Sequence, residues 1–278
     1  MTLCDSLSEL AESTWAHMEY QVSKGYRLPD ERAFTDHHLV ELSIRHPSEV
    51  QAKLFSISGE ARSGADFELW FAGSSKFVGA LVQAKKLDRN SYDGLDAEVG
   101  NKAGAPRQID TLVSACAPGT GPYAGWEPLY LFYNGPTNIP TSTSPQQDQC
   151  GNPEVGSSRR GCTFARALAV KTVLDSMPGA PHKKLAEIGP LGWPWQCLVC
   201  CSSPSLQGPL PMRVSDLLSG AVAGNGRVLQ SGAAPRVWEF DEVPRYVQLM
   251  STRDAPGEVT LRDQDRVPGA NRVVLISG

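Results

Sequence analysis

The sequence predicts an α/β protein: a mixed sheet of about four or five strands with helices on its faces, in the order helix, strand, hairpin, helix, strand. Three observations carry this. Amphipathic helical spacing opens the chain, two apolar strand-like runs flank a four-residue polar turn, and a short apolar run sits between proline and glycine. The composition is globular, with 41% hydrophobic and 20% charged residues over 278 positions. The 26 glycines and 21 prolines imply long connections between elements.

Leu3, Leu7, Leu10, Thr14 and Met18 recur at helical spacing, so residues 3–20 form an amphipathic helix that Gly25 and Pro29 terminate. A second helix is expected to start near Thr35 as its N-cap and to stop before Pro47. Val50 to Ile57 reads as a strand, followed by a polar turn from Ser58 to Gly64. Asp66 to Phe71 and Phe77 to Lys85 read as two strands around Gly73-Ser74-Ser75-Lys76. After a loop from Leu87 to Pro106, a helix is expected from Arg107 to Ala117, then a buried strand from Leu129 to Asn134. Residues 1–136 would thus hold the α/β core, 137–161 a linker or long loop, and 162–278 a loop-rich extension packing on it. In that extension Thr163 to Met177 reads as a helix, Trp195 to Ser202 and Val237 to Met250 as apolar segments, and Arg272 to Ile276 as a last strand.

The formal charge of −4 and pI near 5.8 mean that a nucleic-acid partner would need a local basic groove. The N-terminus has neither the basic region nor the apolar core of a secretory signal, and no run of eighteen apolar residues occurs. With seven cysteines, reduced thiols in a cytoplasm are the simplest expectation.

Chemistry concentrates in Gly64-Ala65-Asp66-Phe67-Glu68 and Val82-Gln83-Ala84-Lys85-Lys86. Gln83 and Lys85 are two apart on a strand and share a face. A turn centred between Ser74 and Ser75 sets Asp66 directly opposite Gln83. A carboxylate, an amide oxygen and an ammonium then converge. Oxygen donors of this kind suit Mg²⁺ (or Mn²⁺) shared with a phosphate, with Asp66, Gln83 and the Ala84 carbonyl as ligands. Lys85 would serve the attacking water and the charge developing on phosphorus.

This arrangement resembles the PD-(D/E)XK nuclease superfamily, with Gln83-Ala84-Lys85 similar to the Q-x-K variant of Mrr-type restriction endonucleases. It is more similar still to an uncharacterised bacterial family with GAD-W/F-E, V-Q-A-K, a Q-I-D helix start and a P-L-Y strand. Here those pieces are Gly64 to Glu68, Val82 to Lys85, Gln108 to Asp110 and Pro128 to Tyr130, and Gly161 to Ala165 and Pro194 to Cys200 add to the likeness. The resemblance implies a restriction-endonuclease-like fold, Mg²⁺-dependent hydrolysis of nucleic acid, DNA first, and a role in bacterial defence.

Gln83 replaces the usual second acid, so a further carboxylate is sought on the preceding helix. Taking Leu39, Val40, Leu42 and Ile44 as its apolar face places Asp36 near the centre of that face, with Glu31 as a loop-borne second choice. Lys86, Arg107 and Gln108 are the candidates for contacting nucleic acid. The same features fit a binding module that keeps the fold and has weakened catalysis. Cys197 and Cys200, with Cys150 and Cys162 upstream, also admit a zinc-stabilised interaction protein, although a buried strand explains the C-x₂-C pair more simply. DNA versus RNA and oligomeric state, a homodimer included, stay open.

Overall fold

Two helices prepare one face of a sheet. Helix α1 (Leu3–Ser23) begins with a reciprocal cap: Thr2 Oγ1 accepts from the Asp5 N–H at 3.2 Å, and Asp5 Oδ2 accepts from the Thr2 N–H at 2.9 Å. Helix α2 (Glu31–Arg45) starts four residues before the expected N-cap, because Asp30 caps it by accepting from the Arg32 N–H at 3.0 Å. Thr35 lies inside the helix instead, donating to the Glu31 carbonyl at 3.0 Å and sharing a hydrogen bond of 2.8 Å with the Tyr133 hydroxyl.

This is a computed structural model, describing residues 1–54, 63–88, 91–92, 94–99, 104–136, 157–176, 185–200, 208–219, 239–251 and 272–278. The strands are β1 (Val50–Leu54), β2 (Phe67–Ala72), β3 (Phe77–Asp88), β4 (Ser91–Tyr92), β5 (Glu127–Tyr133), β6 (Cys162–Arg166), β7 (Trp193–Pro194) and β8 (Arg272–Ser277). Seven run in the order β1-β8-β2-β3-β5-β6-β7, and β4 pairs with the end of β3. Among the described residues the protein is thus mixed α/β, with an eight-stranded mixed sheet flanked by helices.

The hairpin register is the one expected, with Phe67 opposite Val82 and Glu68 opposite Leu81. Strand β2 is buried at every position, because both faces of the sheet are covered. Phe67, Leu69 and Val82 face Leu7 of α1, His38 and Leu42 of α2, and Leu198 of α6 (Cys197–Cys200). The opposite face carries Glu68, Trp70 and Gln83 beneath α3 (Gln108–Ala115) and α8 (Arg245–Ser251).

The last strand is inserted, not appended. Strand β8 runs antiparallel to β1 and parallel to β2, and Val273, Val274 and Leu275 are buried between them. A continuous apolar run is what a strand covered on both faces requires.

Three expectations are corrected. The stretch read as a helix from Thr163 is β6 followed by α4 (Ala167–Ser176), since Cys162 to Arg166 pair with β5 along its free edge. Tertiary pairing overrides local helical propensity there. The segment around Cys197 is the short helix α6, so Cys197 and Cys200 do not alternate across a strand. A disulfide joins Cys4 of α1 to Cys200 with Cα atoms 5.4 Å apart, in place of uniformly reduced thiols, while Cys116, Cys162 and Cys197 are buried thiols outside any disulfide among the described residues. Cys150 and Cys201 lie outside the described residues, as does 137–156 of the expected linker. The ends of that loop meet: the Asn134 N–H donates to the Gly161 carbonyl at 2.7 Å. Gly161 is obligatory there, since a Cβ would stand 1.9 Å from the Ala11 carbonyl oxygen of α1. Among the described residues no helix is long and apolar enough to cross a membrane.

Deleting 272–278 would leave β1 and β2 facing each other across an empty strand position. The expected result is loss of a cooperative urea transition by tryptophan fluorescence; a transition within about 1 kcal/mol of wild type would show β8 to be dispensable.

Candidate active site

The expected opposition of Asp66 and Gln83 is present. Asp66 stands one residue before β2, where its N–H donates to the Val82 carbonyl at 2.8 Å and so extends the β2–β3 ladder. Its Oδ2 accepts from the Gln83 Nε2 at 2.6 Å and from the Ala84 N–H at 2.7 Å. Short bonds to a carboxylate are the strong, charge-assisted kind. Gln83 Nε2 also reaches the Ala84 carbonyl at 3.3 Å, so the three groups expected to share an ion are mutual neighbours.

Gly64 explains how the segment before β2 comes so close to α3. Its φ is +69°, and a Cβ would lie 2.7 Å from the Gln108 carbonyl oxygen. Only glycine combines that conformation with that approach. Gln108 in turn receives Lys85: the Lys85 Nζ donates to Gln108 Oε1 at 2.9 Å. Two residues apart on β3, Gln83 and Lys85 therefore share the face that Asp66 and the start of α3 occupy. All three are buried: Asp66, Gln83 and Lys85 are 6%, 2% and 6% exposed.

Other candidates lie elsewhere. Asp36 does not face the sheet. The buried arc of α2 is Phe34, Thr35, His38 and Leu42, while Val40 and Ile44 are exposed. At about 100° per residue Asp36 stands roughly 145° from the centre of that arc. Its carboxylate is half exposed and engaged by Arg272 of β8, with Nε to Oδ1 at 2.6 Å and a second N–H to Oδ2 at 3.0 Å. Glu31, the second choice, is the first residue of α2.

Lys86 alternates to the opposite face, where its Nζ donates to the Pro29 carbonyl at 2.6 Å and to that of Leu28 at 3.3 Å. It secures the α1–α2 connection and has no place in the Asp66 cluster. Arg107 is committed to Asp110 (2.7 and 2.9 Å) and to Asp175 of α4 (2.7 Å), and Lys171 joins the same two carboxylates at 2.6 and 2.7 Å. This four-charge network ties α3 to α4. The Arg107 hydrogen bonds hold the Asp110 carboxyl down at about 2, and the same carboxylates raise the Arg107 guanidinium above its usual range. Arg107 thus already has two anionic partners.

The chain belongs to a family of unknown function, DUF6615. That family's model matches residues 3–278, so the hairpin, α3 and the inserted β8 all lie within the family's unit. No curated protein matches the chain. Among the described residues, no group of three or more His, Cys, Asp or Glu is arranged to hold a metal ion. Any ion at the DUF6615 site would rely on one carboxylate with neutral oxygen donors.

Two buried atoms here have no hydrogen-bond partner among the described residues: Gln83 Oε1 and the Tyr130 hydroxyl. Gln83 and Tyr130 are register partners across the parallel β3–β5 pair. Tyr130 escaped sequence reasoning as a functional residue, although the P-L-Y strand contains it. Its signal was a tyrosine hydroxyl within the buried run 129–133, shared with Tyr133.

A second buried acid shares this face. Glu68 is 1% exposed, and its Oε2 accepts from the Tyr246 hydroxyl at 2.5 Å and from Trp70 Nε1 at 3.4 Å. Burial pushes its carboxyl from the ordinary 4.5 up to about 7, and the two donors offset that only in part. The folded state therefore holds this proton more tightly than the unfolded state. Stability falls as pH rises from 4.5 to about 7 and stays lower above that window. Glu68→Gln keeps the acceptor and removes the ionisation. Urea titrations should show its stability relative to wild type rising through the window, by up to about 3 kcal/mol at pH 8. Parallel pH profiles for the two proteins would contradict the assignment.

Proposed function

We propose that the protein hydrolyses phosphodiester bonds of nucleic acid, DNA first, with Mg²⁺ or Mn²⁺ held at Asp66. The observation that carries this reading is the convergence of Asp66, Gln83 and Lys85 on one face, with Gln83 Nε2 and the Ala84 N–H on the Asp66 carboxylate at 2.6 and 2.7 Å. The donor chemistry fits a hard divalent cation. Mg²⁺ needs only one or two protein groups when it keeps waters and meets a phosphate. The buried Gln83 Oε1 lacks a partner among the described residues, and a cation would compensate it. Asp66, Gln83 Oε1 and the Ala84 carbonyl are the groups that would hold the ion, which would supply Lewis-acid polarisation of the phosphate.

The chain's own residues account for the rest. Water adds to phosphorus as the bond to the leaving sugar oxygen breaks. The Lys85 ammonium, directed by Gln108, sets a positive charge where negative charge builds on the phosphoryl oxygens. Asp66 is restrained by backbone and amide donors, so little reorganisation is left for the reaction step. The resemblance to PD-(D/E)XK nucleases supports a bacterial defence role in the cytoplasm.

One observation favours a second reading, a nucleic-acid-binding module with weakened catalysis. Asp66, Gln83 and Lys85 are each at least 94% buried, and Asp66 Oδ2 already accepts two hydrogen bonds. Supercoiled plasmid and single-stranded DNA separate the two readings. The hydrolase reading expects cutting with Mg²⁺ or Mn²⁺, abolished by EDTA, and reduced by about 10²–10³-fold or more in Asp66→Ala and Lys85→Ala. Equal cutting by wild type and both variants would sink it, and metal-independent binding without cutting favours the module.

A further inference from the structure

We propose that the Tyr130 hydroxyl is a further group of this site, donating a hydrogen bond to a non-bridging phosphate oxygen of the bound substrate. The inference deepens the phosphodiesterase reading and rests on it.

Tyr130 is fully buried, yet its hydroxyl has no hydrogen-bond partner among the described residues. Buried tyrosine hydroxyls ordinarily find one, and leaving one unmet costs stability. Two other tyrosines of this protein obey the rule: Tyr92 donates to Asn134 Oδ1 at 2.6 Å, and Tyr133 shares a hydrogen bond with Thr35 at 2.8 Å. The exception is the tyrosine opposite Gln83, whose own Oε1 is also unmet. Among the described residues, two unmet polar atoms, a donor and an acceptor on register partners of adjacent strands, thus stand beside Asp66.

The phenol is held rigidly for such a task. Its ring stacks on Phe132 with centroids 5.5 Å apart and planes 6° apart, and Tyr92 packs on Phe132 at 4.3 Å. Phe132 is the register partner of Lys85, so the aromatic pair on β5 follows the Gln83–Lys85 pair on β3 step by step. Burial first, and then the negative charges of Asp66 and Asp110, raise the phenol above its ordinary range, with Arg107 opposing. A phenol carries its proton at neutral pH even without such a shift, so the hydroxyl serves as a donor and not as a base. An anionic oxygen is the acceptor that gains most from a neutral donor in a dry site.

Tyr130→Phe removes the hydroxyl and keeps the ring. In the full-length protein, plasmid cleavage with Mn²⁺ is expected to slow about 10- to 1000-fold. The melting temperature should hold or rise by about 2–4 °C, because an unmet buried hydroxyl has been removed. Anisotropy of a labelled oligonucleotide in Ca²⁺ should show binding weakened several-fold. Wild-type rates in Tyr130→Phe with active wild type would overturn this inference and leave the hydrolase reading standing. A fall in melting temperature alongside slower cleavage would assign the hydroxyl a structural role instead and also overturn it. If wild type binds but does not cut, the hydrolase reading fails and the anisotropy comparison alone decides for or against Tyr130. If wild type neither cuts nor binds, both fall.

Discussion

Everything at the candidate site depends on one carboxylate being held against the β2–β3 ladder. The Asp66 N–H continues the strand pairing while its side chain receives the next two donors along β3, the Gln83 amide and the Ala84 N–H. A slip of one residue in the hairpin would send Gln83 and Lys85 to the face lined by α1 and α2, because strand side chains alternate. Register is therefore the constraint that makes chemistry possible here. Gly64 adds the second constraint, by letting the entry to β2 press against the first turn of α3 and so bring Gln108 to Lys85.

The sheet around this cluster carries an unusual load of buried polarity. Among the described residues Glu68 is buried with two neutral donors, Tyr246 and Trp70, and Glu127 is buried against Arg166 at 2.6 Å. Such groups cost stability unless matched. Among the described residues Glu127 is matched by charge and Glu68 by the hydrogen bonds of Tyr246 and Trp70, while Gln83 and Tyr130 each keep an unmet atom. Unmatched buried atoms also occur at His38 and Gln196, so what singles out Gln83 and Tyr130 is that theirs lie on register partners next to Asp66, which is where function is to be sought.

Much of this was legible in the sequence because it is local. The polar turn from Gly73 to Lys76 fixes the hairpin register, and the register fixes the Asp66–Gln83 opposition. A helix was expected from Arg107 to Ala117 after the loop that ends at Pro106, and α3 forms there over Gln108–Ala115. What could not be read depends on partners distant in the chain. Arg272 to Ile276 was recognisable as a strand, but nothing local says that it wedges between β1 and β2. Cys162 to Arg166 is a strand only because β5 offers an edge. Asp36 was misplaced because Val40 and Ile44, apolar by type, are exposed, while Thr35 and His38 are buried. Thr35 is drawn inward by Tyr133 and His38 by Thr14, through hydrogen bonds spanning 98 and 24 residues. Lys86 and Arg107 were candidates on charge alone, and their actual partners, two backbone carbonyls and two aspartates, are set by tertiary packing.

The most direct measurement is an anomalous difference map from crystals grown with Mn²⁺ and a short phosphorothioate oligonucleotide. Metal binding at the hairpin requires a manganese peak within bonding distance of the Asp66 carboxylate and the Gln83 side-chain oxygen, on the face shared with Lys85. A map with no peak there, or with manganese bound only at a carboxylate cluster away from the β2–β3 hairpin, would contradict it.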